Sequence, residues 1–252
     1  MIGENYLCID IGGSHIKAAV LDASGLIIQP YSKAVTPAKA DPQQLLKAIQ
    51  QLVTHFSNYD KIAVGFPGYI KNGVVQTAPN LDNESWRCVE LQSKISEALQ
   101  KPCKLVNDAD LQGIGIVEGH GFEIMITLGT GFGSAFLYNG VLLPHIELAH
   151  HPLTKKMTYD DFIGEKAIEK IGKKKWNKRM QKVLKILKTV FNYDHLYLGG
   201  GNTEKINFPL DENITKVTNL DGIKGGMAMI TIPNVYQSNG VIHVIDHVLM
   251  PK

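Results

Sequence analysis

The chain has 252 residues, of which 44% are hydrophobic and 20% charged, and its formal net charge is +2. This length suits one large domain or two of ordinary size, and the composition is that of a globular protein. We find no uninterrupted apolar run of about 18 residues and no signal-peptide pattern, so we expect no membrane partner. The three cysteines are widely separated and form no zinc pattern, which favours a reducing, cytoplasmic location.

The first predicted element is a β-hairpin over residues 7–20, in which two apolar strands flank a glycine-rich turn. Gly12 and Gly13 can adopt positive φ and let the turn approach a ligand closely. Ser14 and the backbone N–H groups would then form a nest for an anion such as phosphate. Asp10 precedes the glycines, which makes sense if a Mg²⁺ ion with its waters lies between carboxylate and phosphate. By itself, an Asp-x-Gly-Gly hairpin is more often an ordinary tight turn.

Strands and helices alternate between this hairpin and residue 118. Asp41 is a predicted N-cap with Pro42 at the first helical position, and the Asn-Gly pair at 72–73 indicates a second hairpin. The predicted elements are a strand at 26–35, a helix at 42–56, a strand at 61–66, a hairpin at 69–76, a helix at 89–99, a strand at 103–106 and a helix at 111–118. Asp108 lies in the opening turn of the last helix.

A second strand–glycine turn–strand unit, over residues 123–138, echoes the first hairpin. The later predicted elements are helices at 158–171 and 178–190, a strand at 193–198 that ends in three glycines, a strand at 213–217 and a helix at 222–229. The echo predicts two related α/β lobes around a cleft, with a hinge near residues 106–107. We therefore predict an N-terminal lobe at 1–106, a C-terminal lobe at 107–230 and a tail at 231–252.

The glycine turns and the acidic start of a helix together favour phosphoryl transfer. This chemistry needs held phosphates, neutralised charge and a carboxylate that accepts the proton of the attacking hydroxyl. Asp108 is the candidate base, because the start of a helix in the cleft would hold it rigidly. The alternative is that Asp108 only caps its helix, and the sequence pattern alone favours this role. Both roles can coexist if Asn107 or Asp110 shares the capping.

Six ordered motifs resemble those of ROK-family sugar kinases, and the similarity looks greatest to the branch of polyphosphate glucokinases. They are DIGGSHIK at 10–17, GFPG at 65–68, APNL at 78–81, NDAD at 107–110, LGTGFG at 128–133 and ELAH at 147–150. WNKR at 176–179 and GGG at 199–201 resemble elements of that branch. The resemblance covers roughly residues 5–230, and six motifs in order are far more specific than any one of them.

The resemblance implies an actin/hexokinase-like (ribonuclease H-like) α/β fold with two lobes and a central cleft. It implies that Asp108 is the general base toward the 6-hydroxyl of glucose, and that Asp10 faces Mg²⁺ through water. The implied sugar-binding residues are Asn80, Asn107, Asp108, Glu147 and His150, whose polar side chains suit hydroxyls that both donate and accept. The implied phosphate-binding residues are Asp10, Gly12, Gly13, Ser14, Lys17, Gly129, Thr130, Gly131, Gly199, Gly200 and Gly201. The implied donor is polyphosphate, ATP or both, and a homodimer is expected.

The sequence departs from the family pattern in three respects. Ala149 replaces the glycine of the Glu-x-Gly-His motif, which is a mild change if its φ is negative and a strained one if φ is positive. His15 stands where small residues are common, which predicts a more crowded turn. The Cys-rich zinc motif of many ROK members is absent, so we expect no zinc. Adjacent side chains such as His150 and His151 rarely converge on one ion without further ligands.

Residues 155–188 are strongly basic, with twelve Lys and Arg against four Asp and Glu. One interpretation is an electrostatic track for a long polyanion such as polyphosphate. The other is an ordinary solvated helix face. Nucleic acid is not expected as a partner, because Trp176 is the sole obvious stacking candidate in the stretch.

The C-terminal tail, 231–252, does not fit the kinase pattern. Residues 238–251 resemble the terminal signature of fasciclin domains, which are several times longer than this tail, so we expect no complete one. The apolar segment at 241–250 suits an added strand, pairing with a second chain, or aggregation.

The leading hypothesis is transfer of a phosphoryl group from polyphosphate, with ATP as a further donor, to the 6-hydroxyl of glucose. The first alternative is an ATP-dependent ROK kinase for glucose or another hexose. The second is a non-catalytic sugar-binding protein of the same fold, against which the complete set of motifs counts. A helix-turn-helix before the first strand, as ROK-type repressors carry, is not present in the sequence.

Overall fold

The computed structural model describes residues 4–218, 222–231, 236–237 and 240–241. Its strands are β1 (Tyr6–Ile11), β2 (His15–Leu21), β3 (Ile27–Val35), β4 (Lys61–Phe66), β5 (Ile70–Lys71), β6 (Val74–Val75), β7 (Cys103–Asn107), β8 (Phe122–Leu128), β9 (Phe132–Tyr138), β10 (Val141–Leu142), β11 (Pro152–Thr154), β12 (Met157–Thr158), β13 (His195–Gly199), β14 (Ile214–Lys216), β15 (Tyr236–Gln237) and β16 (Gly240–Val241). Its helices are α1 (Pro42–Val53), α2 (Asn83–Trp86), α3 (Leu91–Leu99), α4 (Asp108–Ile116), α5 (Tyr159–Ile163), α6 (Glu165–Phe191) and α7 (Gly225–Thr231), with 3₁₀ turns at Leu148–His150 and Gly201–Lys205.

The first sheet has the strand order β3-β2-β1-β4-β7, with β1 antiparallel to β2 and parallel to β4. Every residue of the central strand β1 is buried. One face of the sheet packs on α1 and α3, and the other packs on α4 and α7. A central strand covered on both faces reads as a continuous apolar run, which explains why the sequence pattern identifies it.

The second sheet repeats this arrangement, with the order β10-β9-β8-β13-β14. Strand β8 is antiparallel to β9 and parallel to β13, as β1 is to β2 and β4. Helices α5 and α6 bury Trp176, Met180 and Leu187 against one face of this sheet. The two sheets have the same strand order, so the internal echo in the sequence is confirmed at the level of topology.

Helix α4 lies between the two sheets. A side chain at Gly65 would meet Leu111 of α4, and a side chain at Gly113 would meet Ala135 and Leu137 of the second sheet. The helix therefore approaches both sheets closely, which fixes its first residue, Asp108, where the sheets come together. Helix α7 also packs on the first sheet, so residues on both sides of the predicted hinge contribute to that lobe.

The predicted capping of α1 is confirmed. The Asp41 side chain accepts a hydrogen bond from the Gln44 amide at 2.8 Å, and the Gln44 side chain accepts one from the Asp41 amide at 3.2 Å. Pro42 occupies the first helical position. The helix ends at Val53, three residues before the predicted end.

The prediction of one helix over 158–171 is wrong, because the chain is extended at Gly164 (φ −65°, ψ 174°) between α5 and α6. Helix α6 is itself interrupted at Gly172, where φ is +76° and ψ is 157°. A left-handed φ of this kind favours glycine, and the predicted helix end at residue 171 lies next to this break. The apolar pattern runs on through Gly164 without marking it. The helix predicted at 178–190 is the part of α6 that follows Gly172 and ends at Phe191, so it starts earlier than predicted. The other predicted helices and strands are present, with ends that differ by up to three residues.

Most of the predicted tail at 231–252 lies outside the described residues, and only the short antiparallel pair β15–β16 is described after α7. In the parts of the chain that the structure describes, no helix combines the length and the apolar character that a bilayer crossing needs.

Candidate active site

The two lobes enclose a cavity of about 420 Å³. Every phosphate-binding and sugar-binding residue predicted from the sequence lines it, with the exception of Gly199. Gly199 ends β13, and a side chain there would meet Met125 behind the sheet. Lining residues that belong to the quoted motifs but were not assigned a ligand are His15, Pro67, Gly68, Pro79, Phe132, Gly133 and Ala149. Lining residues outside the motifs are Gln112, Thr127, Asp160 and Glu165.

The first glycine turn presents unbonded amides to this cavity. The Gly12 amide donates to the His15 carbonyl at 2.9 Å, and the Thr36 hydroxyl donates to the Gly12 carbonyl at 2.7 Å. Within the described residues, no backbone carbonyl accepts from the amides of Gly13 or Ser14. Neither Gly12 nor Gly13 has a positive φ, so the turn does not use the left-handed conformation that glycine permits. A Cβ on Gly12 would lie 3.2 Å from the His15 carbonyl oxygen, so the turn leaves little room for a side chain there.

The second glycine turn faces the first across the cavity. A Cβ on Gly13 would lie 3.8 Å from the Thr130 hydroxyl oxygen, so the two turns almost touch. The Gly129 amide donates to the Gly131 carbonyl at 3.1 Å, while no backbone bond is found for the Thr130 and Gly131 amides in the described part of the chain. Unbonded amides on both sides of a narrow gap form an anion-binding arrangement.

Two side chains from later in the chain hold the second turn. The Asp160 carboxylate accepts a hydrogen bond from the Phe132 amide at 2.6 Å, and the Asn202 side chain donates to the Gly129 carbonyl at 2.8 Å. Gly200 follows β13 with φ at +86°, and a side chain there would overlap the Leu128 carbonyl. Of the three consecutive glycines, Gly200 is therefore the one that the backbone requires.

Asp10 and Lys17 form an ion pair at the floor of the cavity, with 3.3 Å between Lys17 Nζ and Asp10 Oδ2. Burial raises the pKa of Asp10, and the neighbouring Lys17 charge opposes this rise. Mg²⁺ is usually held through one or two carboxylates, several waters and the phosphates of the substrate. The second Asp10 oxygen and the unbonded amides nearby suit that kind of site. Among the described residues, no group of three His, Cys, Asp or Glu side chains could hold an ion by protein ligands alone.

Asn107 caps helix α4, so Asp108 is not needed for that role. The Asn107 side chain accepts hydrogen bonds from the amides of Ala109 at 2.8 Å and Asp110 at 3.3 Å. Its amino group donates to the Gly68 carbonyl at 3.1 Å. Both ends of the Asn107 side chain are therefore bonded to backbone. Among the residues that the structure describes, Asp108 accepts only from the adjacent Ala109 amide, at 3.0 Å, and it lines the cavity.

The environment of Asp108 suits a group that exchanges a proton near neutral pH. Burial, and then the negative charge of Asp10, raise the pKa of Asp108 to about 7. The carboxylates of Asp110 and Glu147 act in the same direction, while the Ala109 amide opposes them. A base whose pKa lies near the operating pH is the most effective proton acceptor.

Glu147 and His150 lie at the other end of the cavity, where it adjoins a second space of about 470 Å³ lined by Tyr69, Thr77, Pro79, Asn83, Glu147 and His150. His150 Nε2 lies 3.8 Å from Glu147 Oε2. Ala149 does not have a positive φ, so alanine in place of glycine is the mild change. Asn80 lies on the loop beside the first glycine turn, with its Cβ 3.8 Å from the position of a Cβ on Gly13.

His145 is a buried member of this site that the sequence pattern did not indicate. Its Nδ1 lies 2.9 Å from Asp110 Oδ2, and its Nε2 lies 3.1 Å from Glu147 Oε1. Burial opposes a charge on the ring, but the hydrogen bonds to both carboxylates outweigh it and raise the pKa of His145 to about 10. Asp110 is 35 residues away in sequence, so no local spacing could have revealed this contact.

Comparison with known proteins places this geometry in a family. The ROK family model matches residues 6–146. The polyphosphate glucokinase of Mycobacterium tuberculosis (strain CDC 1551 / Oshkosh) is 32% identical over 225 residues, which cover 83% of each chain. Among solved structures, the inorganic polyphosphate/ATP-glucomannokinase from Arthrobacter sp. strain KM superposes with a TM-score of 0.82 at 26% identity, over 91% of this chain and 99% of that one.

A ROK family glucokinase from Streptomyces griseus, solved in complex with glucose and AMPPNP, has the same fold, with a TM-score of 0.71 at 19% identity over 89% of this chain and 97% of that one. The repeated sheets and the cleft between them therefore define an α/β protein of the actin/hexokinase-like fold. Within that class, the chain belongs to the ROK family.

A second family model, that of the fasciclin domain, matches residues 148–251. The resemblance of the tail to fasciclin domains is confirmed, but the match begins far upstream of residue 231. Residues 148–217 include α5, α6, β13 and β14 of the second lobe, and β13 pairs with β8 of the ROK-matched segment. In its described part, the fasciclin-matched segment is thus continuous with the second sheet.

Proposed function

We propose that this protein is a kinase that transfers the terminal phosphoryl group of polyphosphate, and also of ATP, to the 6-hydroxyl of glucose. One observation carries the proposal: Asp108, whose pKa is raised to about 7, shares a cavity with two glycine turns whose amides are unbonded. The relatives described above support the reaction class and the sugar. At 32% identity they suggest polyphosphate as the donor without deciding between it and ATP.

Glucose would bind at the end of the cavity formed by Asn80, Glu147 and His150, with its 6-hydroxyl toward Asp108. As the hydroxyl oxygen forms a bond to the terminal phosphorus of the donor, Asp108 accepts the hydroxyl proton. The bond between that phosphorus and the bridging oxygen breaks, and the shortened donor leaves with the electron pair. Asn107 binds no substrate in this scheme, because both ends of its side chain hold backbone; instead it positions Asp108.

The phosphates of the donor would lie between the two turns, bonded to the amides of Gly13, Ser14, Thr130 and Gly131 and close to Lys17. Asp10 would hold Mg²⁺ through water, and the ion would neutralise charge on the donor phosphates when bound. Fixed N–H dipoles and Lys17 would stabilise the charge that moves onto the leaving phosphate.

Helix α6 supports a track for a long donor, because it begins at the cavity with Glu165 and leads away from it. Beyond the break at Gly172, the side chains of Lys173, Lys174, Lys175 and Lys178 are exposed. Two other cations of the basic stretch have partners: Arg179 donates to the Phe162 carbonyl, and Lys188 pairs with Asp211. The interpretation as a polyanion track therefore rests on the exposed lysines alone.

ATP-dependent phosphorylation of glucose or another hexose is the second candidate. It is favoured by Gly200 and Gly201, which line the donor end of the cavity, and by the fold shared with a kinase bound to AMPPNP.

A homodimer is also part of the proposal. The exposed apolar side chains of Leu26, Ile28, Tyr31 and Val35, in and next to the edge strand β3, support it, and light scattering tests it.

A matrix of donors and sugars tests the proposal, with initial rates measured with Mg²⁺ for polyphosphate and ATP on glucose, mannose and N-acetylated hexoses. We expect the highest kcat/KM for the pair of polyphosphate and glucose. Equal or better turnover with ATP would replace the first candidate by the second. If neither donor yields a phosphorylated sugar, the non-catalytic sugar-binding protein is the remaining candidate.

A further inference from the structure

His145 connects three separate parts of the molecule. It lies between β10 and the 3₁₀ turn Leu148–His150, and its side chain is only 7% exposed. One ring nitrogen meets Asp110 of α4, and the other meets Glu147 at the edge of the cavity. The face of the ring stacks on Tyr69 of the first lobe, with ring centroids 6.0 Å apart and planes inclined by 19°.

A doubly protonated ring donates to both carboxylates when these are ionised; burial raises the pKa of Asp110, and the hydrogen bond from His145 opposes this rise. A neutral imidazole has one donor and one acceptor nitrogen, so it could satisfy only one of the two carboxylates. The groups that face His145 are the carboxylates of Asp110 and Glu147 and the ring of Tyr69; His150 lies beyond Glu147. The imidazolium therefore balances two buried or half-buried negative charges, one of which borders the cavity.

The contact also orients Glu147. Its Oε1 is bonded to His145, while its Oε2 is 3.8 Å from His150, beyond hydrogen-bond distance. Oε2 is thus left to accept from a ligand hydroxyl. Burial tends to raise the pKa of Glu147, but the charge and hydrogen bond of His145 lower it below the usual range, so the carboxylate stays ionised near neutral pH.

We propose that His145 is a positioning residue for the acceptor: as a buried imidazolium held by Asp110 and Tyr69, it fixes Glu147 in the orientation that binds the sugar. This inference rests on the proposed function, since it assigns the acceptor to the end of the cavity that Glu147 borders. His145 itself is not a lining residue of the cavity, so it acts through Glu147 and not on the reacting atoms.

The kinetic test compares wild type with His145→Gln and His145→Ala. His195→Gln serves as the matched control, since His195 does not line the cavity and its ring bonds Thr215 of β14 and packs on Tyr197. We expect the KM for the acceptor hexose to rise about tenfold in His145→Ala, as loss of one charge-assisted hydrogen bond would give. The rise should be smaller in His145→Gln, which keeps one hydrogen-bond donor. The KM for the donor should stay within about twofold, because the phosphate turns do not contact His145. Equal changes in both KM values, or an unchanged acceptor KM, would overturn the proposal.

A second measurement does not depend on turnover or on the folding of a variant. In ¹⁵N NMR of the wild-type protein, both ring nitrogens of His145 should show imidazolium shifts from pH 6 to 8.5. A His145 that titrates within this range, or that is neutral throughout it, would overturn the inference. A wild-type protein that phosphorylates no sugar but keeps a charged His145 would remove the proposed function and, with it, the kinetic role of His145. Active wild type with an unaffected His145→Ala would remove the inference alone.

Discussion

The Asn107 side chain accepts a hydrogen bond from the Ala109 amide at 2.8 Å, and so Asn107, not Asp108, caps helix α4. The same side chain donates to the Gly68 carbonyl, which ties the end of β7 to the loop after β4. In the proposed mechanism, helix capping and proton transfer are therefore divided between neighbouring residues. The sequence left open whether the role of Asp108 is only to cap its helix. Because Asn107 caps α4, the helix does not need Asp108 as its cap.

Replacing Asn107 should therefore affect both stability and rate. Asn107→Ala removes the cap, which should lower the free energy of unfolding by about 1 kcal/mol or more. It should also lower kcat, because the first turn of α4 would no longer hold Asp108 in place. Asn107→Ser keeps a capping oxygen and should recover most of the stability while the link to Gly68 stays lost. Urea unfolding and steady-state kinetics measure both effects, and equal stability of the two variants would contradict the capping role.

Gly200 and Gly201 form a matched pair of substitutions. At Gly200, φ is +86° and a Cβ would overlap the Leu128 carbonyl, whereas nothing lies within 4 Å of a Cβ on Gly201. Gly200→Ala should lower the free energy of unfolding by about 1–3 kcal/mol and raise the KM of the donor. Gly201→Ala should change stability by less than about 0.5 kcal/mol. Thermal unfolding measures both effects. Equal shifts of the melting temperature in the two variants would show that the turn does not need a glycine with positive φ at position 200.

The exposed lysines of α6 should matter for long donors only. Changing Lys173, Lys174 and Lys175 to Gln should raise the KM for long-chain polyphosphate several-fold and leave that for ATP within about twofold, more clearly at low salt. Changing the exposed Lys33, Lys39 and Lys47 of the first lobe is the control with the same loss of charge. If both triple variants keep the preference for chain length of the wild type, the basic stretch is an ordinary solvated face.

The raised pKa of Asp108 predicts a pH profile. Below pH about 7 the carboxylate is increasingly protonated and cannot accept the hydroxyl proton, so kcat/KM should fall about tenfold per pH unit on the acid side. Above pH about 7 it should level off. Asp108→Glu should shift the midpoint, whereas His195→Gln should not. A profile that stays flat down to pH 5.5 would contradict proton transfer to Asp108.

The topology could be read from the sequence because its signals are local. Short apolar strands on either side of glycine turns appear twice, at 7–20 and 123–138, and the repeated sheet order follows from that repeat. Most lining residues of the cavity fall on turns at strand ends, where ligands bind in α/β sheets. A motif recognised in the sequence at such a turn therefore also indicates a position at the cavity. The break at Gly164 could not be predicted, because the helical spacing of apolar residues continues across it.

The electrostatics of the site could not be read in this way. The contacts of His145 with Asp110 and of Phe132 with Asp160 join residues 35 and 28 positions apart, and they depend on how the chain folds back on itself. The glycines of the first turn can adopt positive φ but do not, and a Cβ would be crowded at Gly12, 3.2 Å from the His15 carbonyl oxygen, and not at Gly13. Sequence motifs indicated which residues meet at the cavity, whereas the charges they carry depend on packing.

Asp108→Asn is the substitution that removes the base and little else. Asn keeps the size of the side chain, and Asp82→Asn, on an exposed residue with no cap hydrogen bond, is the control. Because the pKa of Asp108 is raised by folding, the ionised form costs stability, and this cost is present above pH about 7 and absent below pH about 4. Asp108→Asn should therefore unfold no earlier than wild type at pH 8, so that any loss of rate is not a loss of fold.

The most direct test of the account is kcat of Asp108→Asn at pH 8 with Mg²⁺, saturating glucose and the better donor. The account predicts a decrease of about 10²-fold or more relative to wild type and to Asp82→Asn, with an unchanged circular dichroism spectrum. Turnover within a few-fold of wild type would contradict it, because the sugar hydroxyl would then lose its proton without this carboxylate.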